Sequence, residues 1–99
     1  MEGQALISPD VLARYAADAA REVSGVHGLV GRHDGVKVAR DDGRIGVELH
    51  LSLAWGANAG NVGAAVQEHV ADCLARMADV RPDTVDVIVE EWHSSASPA

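Results

Sequence analysis

From Ile45 to Trp55 the chain alternates: Ile45, Val47, Leu49, Leu51, Leu53 and Trp55 are separated by Gly46, Glu48, His50, Ser52 and Ala54. A β-strand places successive side chains on opposite faces, whereas a helix would scatter these apolar residues around its circumference. The segment therefore reads as a long strand with its odd-numbered residues buried and its even-numbered residues on a wetter face. Gly56 ends it. A sheet that is apolar on one face needs a second layer over that face, and the rest of the chain must supply it.

Two helical patterns do so. In the first, Ser8 is placed to cap free amides, Pro9 fits the first helical position and Asp10 suits the positive end of the dipole. Ile7 and Leu12 have the spacing of a hydrophobic staple. This helix is expected from about Pro9 to Val23, stopping at Gly25, with Leu12, Ala16, Ala19, Ala20 and Val23 as its apolar stripe. Val11 and Tyr15 fall off that stripe. The second helix is expected from Asn58 or Asn61 to Asp79, with Val62, Val66, Val70, Cys73, Leu74 and Met77 inward and a Val80-Arg81-Pro82-Asp83 stop.

The remaining segments are shorter. Val36–Arg40 reads as a strand leading into an Asp41-Asp42-Gly43 hairpin signal, and Thr84–Trp92 as a closing strand. Val26–Val30, interrupted by Gly28, is a weak strand or an irregular approach. The fold class is then α+β: a two-layer sandwich of order α-β-β-α-β, a small mixed sheet with two helices on one face. A right-handed crossover sets the last strand parallel to the long one. One domain over residues 1–93 is expected, with a flexible lead at 1–6 and a disordered tail at 94–99.

Composition narrows the function classes. The aromatics are Tyr15, Trp55 and Trp92, so aliphatic residues must build the core. A formal charge of −7 repels phosphate backbones and anionic headgroups, which argues against nucleic-acid partners. Cys73, the single cysteine, cannot form an internal disulfide and suits a reducing cytoplasm. No stretch approaches the roughly 18–20 apolar residues of a membrane span, so direct insertion is not expected.

Several residues invite chemistry. Glu48 and His50 share the wetter strand face, where Glu90 can join them; a carboxylate beside an imidazole is an acid–base pair, but also an ordinary solvated one. Gly56, Gly60 and Gly63 lie between strand and helix without the spacing or lysine of a phosphate loop, so a plain turn capped by Asn58 or Asn61 accounts for them. His27, His33, His50, His69 and His93 lack paired ligand spacing, so no metal is expected. His69 reads as a half-buried structural histidine, and Cys73 as a buried small hydrophobe. Ile88 and Trp92, by contrast, alternate against Val85, Val87 and Val89 and face away from the helices, which makes them a candidate interface. Val11 and Tyr15 form a second candidate patch.

The ordered segments resemble the alkaline shock protein family, the Gls-type general stress proteins of bacterial cell envelopes. The resemblance is carried by Ile7-Ser8-Pro9-Asp10-Val11-Leu12, Ala19 to Leu29 with its Glu22-Val23-Ser24-Gly25-Val26 step, Gly35-Val36-Lys37-Val38, Val47 to Gly56, Val62 with Val66-Gln67 and Val70, and Val85 to Val89. It departs at Trp55, where a Tyr is usual, at Asp86, where an Asn is common, and at Ala78-Asp79. The resemblance implies a cytoplasmic protein without catalytic residues or cofactors, tied to envelope stress and homeostasis. It implies action by self-assembly as a homo-oligomer or by docking to a small membrane-anchored partner, which would hold it at the inner face of the membrane. The competing reading is a small RNA- or ligand-binding α+β module.

Overall fold

The structure, a computed structural model, describes residues 7–93. The flexible lead and disordered tail expected from the sequence lie outside the described residues. Along the chain run α1 (Pro9–Arg21), β1 (Val26–Leu29), a 3-10 turn (Arg32–Gly35), β2 (Val36–Asp41), β3 (Arg44–Ala54), α2 (Ala59–Ala78) and β4 (Thr84–His93). Ser8 caps α1 as expected, and of the two candidates for α2, Asn58 and Asn61, the cap is Asn58. Ser8 Oγ accepts from the Val11 amide at 3.3 Å, and Asn58 Oδ1 accepts from the Asn61 amide at 2.9 Å. Asp79 closes α2 in the left-handed region (φ 53°), and the Val80 amide reaches back to the Leu74 carbonyl at 3.1 Å. Asp42 (φ 55°) and Gly43 (φ 79°) make the two-residue turn that joins β2 to β3, with Asp41 paired to Arg44.

β3 is the centre of the sheet. β2 pairs antiparallel with it from Val36↔Leu49 to Asp41↔Arg44, and β4 runs parallel along its other edge from Gly46↔Thr84 to Ala54↔His93. The sheet is mixed, as expected. The element order contains one more strand than the sequence reading: Val26–Leu29 is a true strand, antiparallel to β3 through Val26↔Leu53 and Leu29↔Leu51. β1 and β2 lie on the same edge of β3 and form one interrupted strand. The Val30 amide bonds the His50 carbonyl at 3.0 Å, the chain then loops out, and pairing resumes at Val36↔Leu49. Gly35 (φ +77°) is where it rejoins. A Cβ there would lie 2.8 Å from the Val30 carbonyl oxygen and 3.0 Å from that of His50, so only glycine fits.

Both helices cover one face. Val47, Leu49, Leu51 and Leu53 are buried against Leu12, Ala16, Ala19 and Ala20 of α1 and Val62, Val66, Val70 and Leu74 of α2. The alanines keep α1 close to the sheet. The odd-numbered register of β3 is thus the expected one, with a correction at its end: Trp55 lies past the strand and is 69% exposed. Two residues of the α2 stripe also sit wider than expected. Cys73 is half-buried and Met77 exposed, because the strict i, i+4 row of Val62, Val66, Val70 and Leu74 fills the contact.

Candidate interaction surface

Two β-bulges flank the second half of β3. In β4 the register passes from Leu51↔Val89 to Ser52↔Glu91, leaving Glu90 as an extra residue. In β1 it passes from Val26↔Leu53 to Gly28↔Ser52, leaving His27 extra. One inserted residue inverts the alternation beyond it. Ile88 pairs with His50 on the uncovered outer face and is half-buried there. Trp92 pairs with Leu53, on the helix-facing side, where it is 42% exposed. The two residues expected to share a face therefore lie on opposite faces, since strict alternation along β4 fails at Glu90.

A different pair shares one end of the sheet. Trp55 continues the odd-numbered series of β3 one step past the strand, and its amide bonds the His93 carbonyl at 3.0 Å, holding it beside the end of β4 that carries Trp92. Val11 and Tyr15, the second candidate patch, are half-buried on α1. Tyr15 packs against the core, and its carbonyl oxygen accepts from Cys73 Sγ at 3.8 Å. Burial pushes the Cys73 thiol above its ordinary range, which disfavours the reactive thiolate.

On the outer face the sheet brings together the anticipated carboxylates and imidazole. His50 Nε2 lies 2.8 Å from Glu48 Oε2, and Nδ1 lies 3.1 Å from Glu90 Oε1. The Glu48 and Glu90 bonds hold the ring's pKa above the usual 6.5, against a smaller opposing effect of burial. An imidazolium donating from both nitrogens suits this geometry, and it leaves no lone pair for a metal or for proton abstraction. The His27 and His93 rings stack at 3.7 Å between centroids and 6° between planes. The bulge at Glu90 sets His93 opposite Ala54 on the outer face, where its ring meets that of His27. Ser52, expected on the wetter face, is 1% exposed, and its Oγ has no hydrogen-bond partner among the described residues. On the helix layer, His69 Nε2 lies 2.7 Å from Glu22 Oε1, tying α2 to the end of α1, in the structural role expected of it.

A cleft of about 510 Å³ opens between α1 and β2, with Ala13, Arg14, Ala17, Val36, Lys37 and Val38 among its lining residues. Among the described residues, no strand pairs with the outer edge of β2 or of β4. Among the same residues, no three His, Cys, Asp or Glu side chains are grouped to hold a metal ion. No described helix is long and apolar enough to cross a membrane.

The fold recurs in solved structures. A MamM CTD variant in its zinc form is 16% identical, with a TM-score of 0.67 over 89% of this chain and 90% of that one. A tryptophan-to-alanine variant of the same domain is 17% identical, with a TM-score of 0.66 over 91% of this chain and 88% of that one. A manganese form is 13% identical, with a TM-score of 0.57 over 83% and 96%. At such identities the likeness is one of fold. No curated protein matches the chain. The family comparison matches residues 1–93 to the alkaline shock protein 23 family, described as having a cell envelope-related function. That match takes in every element described above, and the chain belongs to this cell envelope-related family.

Proposed function

We propose that this protein works without catalysis, as a cytoplasmic component of envelope stress response and homeostasis that acts by assembling with itself or docking on a small membrane-anchored protein. The observation that carries the reading is the exposure of Trp55 (69%) and Trp92 (42%) at one end of the sheet, beside the edge of β4 that no strand among the described residues pairs with. Indole rings bury large areas at low entropic cost and dominate the energetics of many interfaces. Family membership supports the envelope as the setting.

The test compares wild type with the Trp55→Ala and Trp92→Ala variants. Sedimentation of each purified chain reads self-association, and capture from a membrane extract reads docking. Truncating an aromatic anchor commonly costs ~2 kcal/mol or more of binding energy, about thirtyfold in affinity. The reading expects that loss with thermal melts little changed. Association and capture that survive both substitutions count against it.

A further inference from the structure

The two outer edges of the sheet match each other. β2 runs antiparallel to β3 and β4 runs parallel to it. A second copy set beside β4 in the same orientation therefore presents its β2 antiparallel, the better-aligned ladder, with both helix layers on one side.

The side chains fit this placement. On β4, Val85 and Val87 face the helices, while Thr84 and Asp86 face outward; on β2, Val36 and Val38 face the helices, while Lys37 and Ala39 face outward. When Lys37 is opposite Asp86, Val36 meets Val87, Val38 meets Val85, Ala39 meets Thr84 and Arg40 meets Asp83. Both charge pairs are opposite in sign and both apolar pairs share the covered face. Sliding by one residue inverts the faces. Sliding by two loses both charge pairs in either direction, and in one direction sets Arg40 against Arg81. Pairing β4 with itself about Ile88 instead opposes Asp86 and Glu90, which is unfavourable for like charges.

We infer that copies of this chain join head to tail, the β4 edge of one along the β2 edge of the next. The inference rests on the self-assembly reading above and adds to it a second contact surface, on the part of the β4 edge before Glu90. The cleft between α1 and β2 gives the neighbour's Val85 and Val87 a place on Val36 and Val38. Existing contacts leave room. Arg40 donates to the Ile7 carbonyl and has further N–H groups, and Asp83 receives the Ile45 amide through Oδ2 alone. Gln67 donates to the Val85 carbonyl at 3.0 Å, and that oxygen has a second lone pair. The Glu90 bulge bends the strand away beyond Val89 and confines pairing to the first half of β4. Because the two edges differ, the contact is heterologous: each added copy leaves one β2 edge and one β4 edge free, so assembly grows past a dimer, into a filament where the rotation between copies does not close a ring.

Charge reversal tests this in the full chain. Lys37 and Asp86 are both exposed. The weight-average mass of wild type, measured by sedimentation at low salt, is expected to climb with concentration past that of a dimer. Lys37→Glu alone and Asp86→Lys alone set like charges together and are expected to weaken association about tenfold or more. The double variant, and an equimolar mixture of the two singles, restore opposite pairs and are expected to recover assembly, a result that damage to the fold cannot mimic. If wild type assembles and the single variants match it, the edge pairing is wrong while self-assembly stands. A mass plateau at a closed dimer, or no recovery in the double variant and mixture, also overturns the pairing. A wild-type chain that stays monomeric removes self-assembly and the pairing together.

Discussion

Leu49 is the residue whose truncation should hurt most. Its side chain is fully buried at the middle of β3, between Val36 of β2 and Val87 of β4 in register, and under the helix layer. Replacing a buried leucine by alanine removes its transfer free energy and leaves a cavity, at about 2.7–5 kcal/mol. A domain of this size has roughly 5–15 kcal/mol in all, so the loss is about a fifth of the total or more. At about 4–8 °C per kcal/mol, Leu49→Ala should lower the melting temperature by at least about 10 °C. The adjacent residue is the control. His50→Gln removes contacts between partly exposed groups, each worth about 0.2–1 kcal/mol. Far-UV circular dichroism melts and urea titrations at pH 7 would compare the two. A His50→Gln loss equal to that of Leu49→Ala would mean that the faces of β3 have been assigned the wrong way round.

Two further outcomes follow from the same geometry. The His50 titration, followed by NMR, should have a midpoint above 6.5 that falls when Glu48 or Glu90 is changed to Gln. The folded-state pKa is raised, so the stability His50 contributes is complete below about 6.5 and is lost as pH rises through the folded value; a wild-type chain whose stability rises relative to His50→Gln over that window would contradict the cluster. Gly25→Ala should cost about 1–3 kcal/mol in urea melts, because Gly25 has φ +96° and a Cβ there would lie 2.7 Å from Val62 Cγ2; a neutral result would place the α1–β1 turn elsewhere.

The fold was legible where local pattern and tertiary demand agree. The alternation of β3, the Ser8 and Asn58 caps and the Asp42-Gly43 turn each depend on neighbours within a few residues, and each stands where the sequence places it. The misses along β4 have one physical source. A β-bulge adds a residue to one strand relative to its partner, and nothing in Val89-Glu90-Glu91 announces where pairing skips. Trp92 consequently changes face, and His93 meets His27 from the opposite edge of the sheet. Gly28 is the one local hint of irregularity in β1. β1 itself was faint because a four-residue strand with a glycine shows little periodicity, and its place is fixed by β3. The Glu48, His50 and Glu90 cluster was foreseeable as a shared face, while the engagement of both ring nitrogens rests on distances that the folded sheet sets.

Hydrogen exchange by mass spectrometry, on wild type below and above the concentration at which it associates, tests the central claim most directly. An interaction surface on the β4 edge predicts slowed exchange along 84–89, matched along 36–41, with the solvent face of α2 unchanged. Exchange that slows only on the helices, or nowhere, would contradict it.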